Sequence, residues 1–343
     1  MESADRVPVF GGGRDGGKPR IEEKPRIGKY ESRLDHSRRR TYAGEIDRIP
    51  YEKVSGNGLA VNVRAILAPY DSGHRGVRMG RGPEHLVRGG LADALSADGH
   101  DVEVRFLESE NSLPAEVAVA FELDRLISRE VRDCRESGDF PLVLSGNCNN
   151  SVGTVAGVGG ENLGVVWFDG HADFHTPDTT NTGFSDNMGL SIAVGHCWKN
   201  MAASVPNFSP AAEKNVVLVG VREIEPEERK RLSNSEISVF EAGEARSEAG
   251  MEKMKSTLED LGNRTRSVYL HLDLDFLDPE SVGAANEFAP PDGLTVEEAE
   301  RIVHLVREHC EIAAVGVASY DPAFDDDGSV LRAGLRLVQS SLF

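Results

Sequence analysis

From about residue 60 onward, short apolar runs alternate with stretches of helical period. The runs are VRAILAPY (63–70), VEVRFL (102–107), PLVLSG (141–146), GVVWFD (164–169), NVVLVG (215–220), SVYLHLD (267–273) and AAVGVAS (313–319). Most are continuous apolar segments that end in Gly, Asp or Asn, the pattern of strands buried on both faces. Between them, EHLVRGGLADAL (84–95) has the spacing of an amphipathic helix, and 115–136 that of a long one. Further helical stretches fall near 187–197, 226–233, 250–262 and 295–309. Strands that alternate with helices predict an α/β protein with a central, mostly parallel sheet covered on both sides. No repeat or linker interrupts the pattern, so 59–343 reads as a single domain.

Residues 1–58 differ. They hold GGGRDGG at 11–17, RRR at 38–40 and few spaced apolar residues. Such a composition cannot bury enough surface to offset the entropy of ordering, and a flexible arm is expected. Gly11, Gly13 and Gly16 fit G-x-G-x-x-G, but no strand precedes them and Pro19 follows closely, which argues against a dinucleotide loop.

The formal net charge of −19 weighs against a phosphate-backbone binder and against a basic helix on a membrane surface. No apolar run approaches the length of a membrane span, and MESADRVPVF lacks the apolar stretch of a signal peptide. The four cysteines, Cys134, Cys148, Cys197 and Cys310, form no CxxC pair. They read as reduced thiols of a cytoplasmic protein.

Unusual polar groups cluster at four strand ends: Ser145-Gly146-Asn147-Cys148, Asp169-Gly170-His171-Ala172-Asp173-Phe174-His175, Asp273-Leu274-Asp275 leading to Asp278-Pro279, and Ser319-Tyr320-Asp321-Pro322. In open α/β sheets, ligands bind beyond the carboxyl ends of the strands. Residues at i, i+2 and i+4 of an extended segment project to one side, so Asp169, His171 and Asp173 would converge, as would Asp273 and Asp275. Four carboxylates and an imidazole brought together repel one another unless one or two divalent cations lie between them. Oxygen-rich ligation suits manganese or magnesium better than zinc. Two bridging carboxylates would hold two ions about 3.5–4 Å apart and activate a shared water. His271, inside an apolar run, reads as a hydrogen-bonded core histidine, and Asp325-Asp326-Asp327-Gly328 as a solvated acidic loop.

These motifs resemble those of the ureohydrolases, the arginase and agmatinase group of binuclear manganese enzymes. The likeness lies in D-x-H-x-D at 169–173 running on into HTPDTTNTG, and in D-x-D-x-x-D-P at 273–279. It extends to VGVREIEPEE (219–228), the glycines and proline of 76–83, and GLT (293–295). The resemblance implies a three-layer α/β/α fold, hydrolysis of guanidino or related C–N bonds by a metal-bound hydroxide, and a homo-oligomer, a trimer or hexamer. By the same resemblance, Asp169 and Asp273 bridge two Mn2+ ions, His171 and Asp275 complete one site, and Asp173 belongs to the other. Glu225 and Glu228 fall where the family contacts the substrate's far end or supports that loop; His175, of the same parity as Asp173, is expected near the site mouth, and Thr182 is a further substrate-binding candidate.

Three positions depart from the family pattern. Cys148 stands where the family has its first metal-binding histidine. It is either a soft ligand poorly matched to manganese or a small buried hydrophobe. Asp186 aligns near the family's proton-shuttling histidine and could move protons in its place, with Asp173 as the other catalytic carboxylate. Ser319 aligns with the glutamate that pairs with the guanidinium, leaving Asp321 as a substitute if the backbone shifts. The expected activity is metal-dependent hydrolysis of a guanidino or amidino C–N bond of a small molecule. The alternatives are hydrolysis of a formimino or amide-like bond, or a non-catalytic metal-binding protein of the same fold.

Overall fold

The computed structural model describes residues 60–111, 115–159 and 162–342. The arm expected at 1–58 and the Gly11–Gly16 motif lie outside the described residues. All seven apolar runs form strands of one sheet whose eighth strand lies at Ser238–Glu241; two short strands, Tyr70–Asp71 and His74–Arg75, pair apart from it. In chain order the eight are β1 (Asn62–Ala68), β2 (Asp101–Phe106), β3 (Phe140–Ser145), β4 (Leu163–Phe168), β5 (Val216–Val221), β6 (Ser238–Glu241), β7 (Ser267–Asp273) and β8 (Ile312–Ala318). They make one sheet in the order β2-β1-β3-β8-β7-β4-β5-β6. Every pairing within it is parallel, so all carboxyl ends emerge on one edge.

Helices cover both faces. Glu116–Glu136 (α1) and Ser151–Val158 (α2) lie on one side. There Leu123, Ile127, Val131 and Val155 join a buried cluster with Trp167 and Tyr269. Glu248–Arg264 (α4), Val296–His309 (α5) and Ser329–Leu342 (α6) lie on the other. Leu258, Ile302, Val306, Leu335 and Val338 pack there with Phe168, Val268, Leu270 and Leu272. The helix Pro226–Ser233 (α3) follows β5 and starts at a capping box of Glu225 and Glu228. Strand β7 shows how one sequence serves both layers. Val268, Leu270 and Leu272 face one cluster and Tyr269 the other, as the two-residue period of a strand requires.

The helices differ from expectation in three places. The segment 84–95 is not one helix but Gly82–Leu86, a wider turn at Val87–Leu91 and Ala92–Ala97. The break falls at Gly90, whose φ of 107 only glycine adopts readily. The stretch near 187–197 is a tight turn at Asp186–Met188 and a short helix Gly189–Ala193. Helix α6 lies outside the stretches predicted to be helical, although Leu331, Leu335, Val338 and Leu342 have helical spacing. Its start also corrects the reading of a solvated acidic loop. Asp325 is buried and accepts hydrogen bonds from Val330 N (3.1 Å), Leu331 N (2.8 Å) and the Tyr320 hydroxyl (2.8 Å). Its carboxylate thus satisfies amides that open a helix without an intrahelical partner.

Strand register decides what meets at the carboxyl edge. Ala318 pairs with Asp273 and Phe168 with Leu272, so Asp169 and Ser319 emerge on either side of Asp273. Deeper in the sheet, Gly316 lies beside His271. A Cβ on Gly316 would stand 2.1 Å from the Tyr269 hydroxyl oxygen. Gly316→Ala should therefore destabilise the protein by about 1–3 kcal/mol, the usual result of overpacking a core. A urea unfolding midpoint equal to that of the unaltered protein would refute this.

Candidate metal centre

Adjacent strands deliver the polar groups in spatial order: β3 supplies Cys148, β8 Ser319, β7 Asp273 and Asp275, and β4 Asp169, His171 and Asp173. Two groups of potential ligands result. In one, Cys148, Asp169 and Asp173 each place a ligand atom within 4.8 Å of the others, and all three residues are buried. In the other, Asp169, His171 and Asp275 do the same. Asp169 belongs to both. Asp273 sits against the first group, its Oδ2 accepting from Cys148 Sγ at 2.8 Å, while its Oδ1 accepts from Asp275 N at 2.9 Å.

The electrostatics are those of crowded anions in a dry place. Burial, reinforced by the charge of Asp169, raises Asp173 well above the usual carboxylate range. Burial, then Asp275, does the same to Asp273. Burial likewise raises the Cys148 thiol, with Asp273 adding to it. Asp275 and His171 form the exception. Burial works against charge on both, but His171 Nδ1 lies 3.2 Å from Asp275 Oδ2. The pair holds Asp275 low and His171 high. Asp173 and Ser319 carry backbone strain, with φ of 48 and 62. Left-handed non-glycine residues concentrate at functional sites, where the surroundings enforce them.

Other side chains, none of them among the predicted site residues, fix this arrangement. Trp167 Nε1 donates to Asp169 Oδ2 at 2.8 Å. The Asp169 Oδ1 accepts from His171 N. Arg222 donates to the carbonyls of Asp275 (2.8 Å) and Leu277 (3.2 Å) and to those of Pro290 and Pro291, bracing the loop after β7. Asn286 Nδ2 donates to Ser319 O at 2.7 Å. Period-2 parity with Asp169 and Asp273 marks Trp167 and His271. Nothing in the spacing marks Arg222 or Asn286, whose partners are distant backbone carbonyls.

The remaining expected residues divide. His271 is buried and hydrogen-bonded as expected, its Nδ1 at 2.8 Å from the Tyr269 hydroxyl and its Nε2 at 3.1 Å from Cys148 Sγ. His175 is buried, with Nε2 3.5 Å from carboxylates of both Glu225 and Glu228. Thr182 lies in an exposed turn, its Oγ1 meeting Thr180 and the amide of Phe184, and belongs to neither ligand group. Asp186 faces the Cys148 loop. Its carboxylate accepts from Asn147 Nδ2 (2.8 Å), Asn149 N (3.3 Å) and Cys148 N. Three donors hold this carboxylate against the loop, while burial, then the charge of Asp71, raises it well above the usual carboxylate range. The Asp321 Oδ1 is held by Arg81 at 2.6 Å and by Ala323 N at 3.0 Å, which leaves little of its charge for a substrate cation.

A parallel sheet between two helical layers thus carries two groups of potential metal ligands that share one aspartate at its carboxyl edge. The arginase family model matches residues 62–343, and the chain belongs to the arginase family. The arginase of Bacillus caldovelox is 28% identical over 295 residues, covering 81% of this chain and 97% of that protein. The arginase of Bacillus subtilis is 28% identical over 299 residues, covering 82% and 97%. Among solved structures, the Bacillus cereus arginase superposes with a TM-score of 0.73 at 25% identity, covering 82% of this chain and 98% of that one. The agmatine ureohydrolase of Thermoplasma volcanium shares the fold, with a TM-score of 0.61 at 19% identity. The family supports a hydrolase that acts on C–N bonds.

The residues present fit divalent cations. Asp173 Oδ2 is buried without a hydrogen-bond partner. Such an atom costs roughly 1–3 kcal/mol or more unless something positive meets it. Asp169, His171 and Asp275 offer the hard oxygen and imidazole donors that manganese or magnesium takes. Asp273→Ala should lower bound metal below that of the unaltered protein, as measured by elemental analysis after dialysis, and abolish hydrolysis. Retention of full metal content and full turnover would refute the assignment of Asp273.

Proposed function

We propose that the protein hydrolyses a weakly basic guanidino or amidino compound, with Mn2+ in at least one of its two ligand pockets. The observation that carries the reading is the pairing of two carboxylate-rich ligand groups with a neutral residue, Ser319, at the strand end where the family places its guanidinium-binding glutamate. Bound cations would lower the pKa of a water and stabilise negative charge developing during its attack. The protein's own groups do the rest. Trp167 and the His171 amide orient Asp169, and Arg222 holds the β7 loop that carries Asp275. Ser319 offers its hydroxyl to a substrate nitrogen. His175, with Glu225 and Glu228, faces the substrate's far end. An assembly of three or six subunits in the cytoplasm belongs to the same reading.

The substrate argument is quantitative. A guanidinium buried without a carboxylate partner costs several kcal/mol, whereas a neutral hydrogen bond returns about 0.5–1.5 kcal/mol net. Asp321, already paired with Arg81, does not restore the missing charge. On a panel of guanidino compounds with Mn2+, kcat/KM for arginine and agmatine should fall at least ~100-fold below that for the best less basic compound, such as an N-hydroxylated or acylated guanidine. That is about 2.7 kcal/mol of transition-state binding. Ser319→Glu should narrow the gap. Efficient cleavage of arginine or agmatine by the unaltered protein would overturn the substrate preference. Metal binding without turnover of any panel member would overturn the catalytic reading.

A further inference from the structure

The two ligand groups differ in the softness of their donors. One offers Asp169, His171 and Asp275, all oxygen and nitrogen. The other offers Cys148, Asp169 and Asp173, and Asp273 Oδ2 lies 2.8 Å from the sulfur. Two observations mark the second group as a ligand pocket rather than a thiol in the core. Asp173 is 6% exposed, yet its Oδ2 has no hydrogen-bond partner. Cys148 Sγ is also held in the manner of a ligand atom. His271 Nε2 approaches it at 3.1 Å and Ser319 Oγ at 3.4 Å. The imidazole is fixed in turn by the Tyr269 hydroxyl and by stacking on Trp167, with ring centroids 3.8 Å apart. Hydrogen-bonded partners behind a ligand, themselves immobilised, are the usual support of metal-binding side chains.

We propose that the Cys148–Asp169–Asp173 pocket takes a thiophilic divalent cation of the zinc type, while the Asp169–His171–Asp275 pocket takes a harder ion such as Mn2+. The inference rests on the reading that the carboxylate cluster binds metal. Its physical basis is donor softness. Thiolate selects zinc and cobalt over manganese, whereas carboxylate and imidazole do not discriminate so strongly. One sulfur with up to three carboxylate oxygens also supplies the four donors of zinc's tetrahedral preference. A mixed pair of ions would then share Asp169, and the softer one would sit beside Ser319.

The test reads binding rather than turnover. The full-length protein, stripped with a chelator, is titrated with Co2+ while absorbance is followed, and bound metal is then measured in competition between Zn2+ and Mn2+. The expected results are a thiolate-to-cobalt charge-transfer band in the near ultraviolet and loss of one bound Mn2+ at a lower Zn2+ concentration than the other. Cys148→Ser should remove the band and weaken Zn2+ binding by ~10- to 100-fold, leaving one Mn2+ in place. Cys148→His should remove the band and raise Mn2+ occupancy. Should neither variant fold, the band in the unaltered protein decides. Two bound Co2+ ions with no thiolate band would overturn the proposal and leave the metal centre standing. So would a preference for Zn2+ unchanged in Cys148→Ser. No Co2+ bound at stoichiometric concentration would overturn both.

Discussion

Four aspartates, Asp169, Asp173, Asp273 and Asp275, converge at one edge of the sheet where water scarcely reaches them. Mutual repulsion and lost solvation would each cost several kcal/mol if the charges stood alone. Only one carboxylate is held low by a neighbour, Asp275 beside His171; burial drives the other three up. The arrangement is strained without compensating positive charge, and the function follows from what supplies it.

The scaffold holds that strain by being rigid where the charges sit. Parallel pairing places Asp169 and Ser319 on either side of Asp273. Trp167 and Arg222 hold the strand ends from below and from the side. Gly170 lets its amide approach Asp275 Oδ1 to 3.0 Å, where a Cβ would meet the same carboxylate at 2.9 Å. The left-handed backbone of Asp173 and Ser319 is possible because packed neighbours on both faces leave no relaxed alternative.

The departures from the family pattern are linked in space. Cys148, Ser319 and Asp186 lie far apart in sequence, yet Ser319 Oγ is 3.4 Å from Cys148 Sγ and Asp186 accepts from the Cys148 amide. A thiol at 148 changes the metal pocket, a serine at 319 changes the charge offered to substrate, and an aspartate at 186 caps the loop between. These three residues thus form one corner of the centre, and Asp169, His171 and Asp275 the other.

The layer architecture, seven of the eight strands of the large sheet and the ligand motifs were legible in the pattern of residues. Strands buried on both faces must be continuous apolar runs, and a motif with period two declares which side chains share a side. The brief strand Ser238–Glu241 and helix Ser329–Leu342 escaped that reading, the first too short to show a period and the second interrupted by Gly334, Ser340 and Ser341. Asp186 at the Cys148 loop, Asp321 beside Arg81 and His271 behind Cys148 became visible only once the segments were brought together. Those are partnerships across 38, 240 and 123 positions. Local periodicity records which way a side chain points, but a hydrogen bond between distant segments depends on strand order and register, which no single segment encodes.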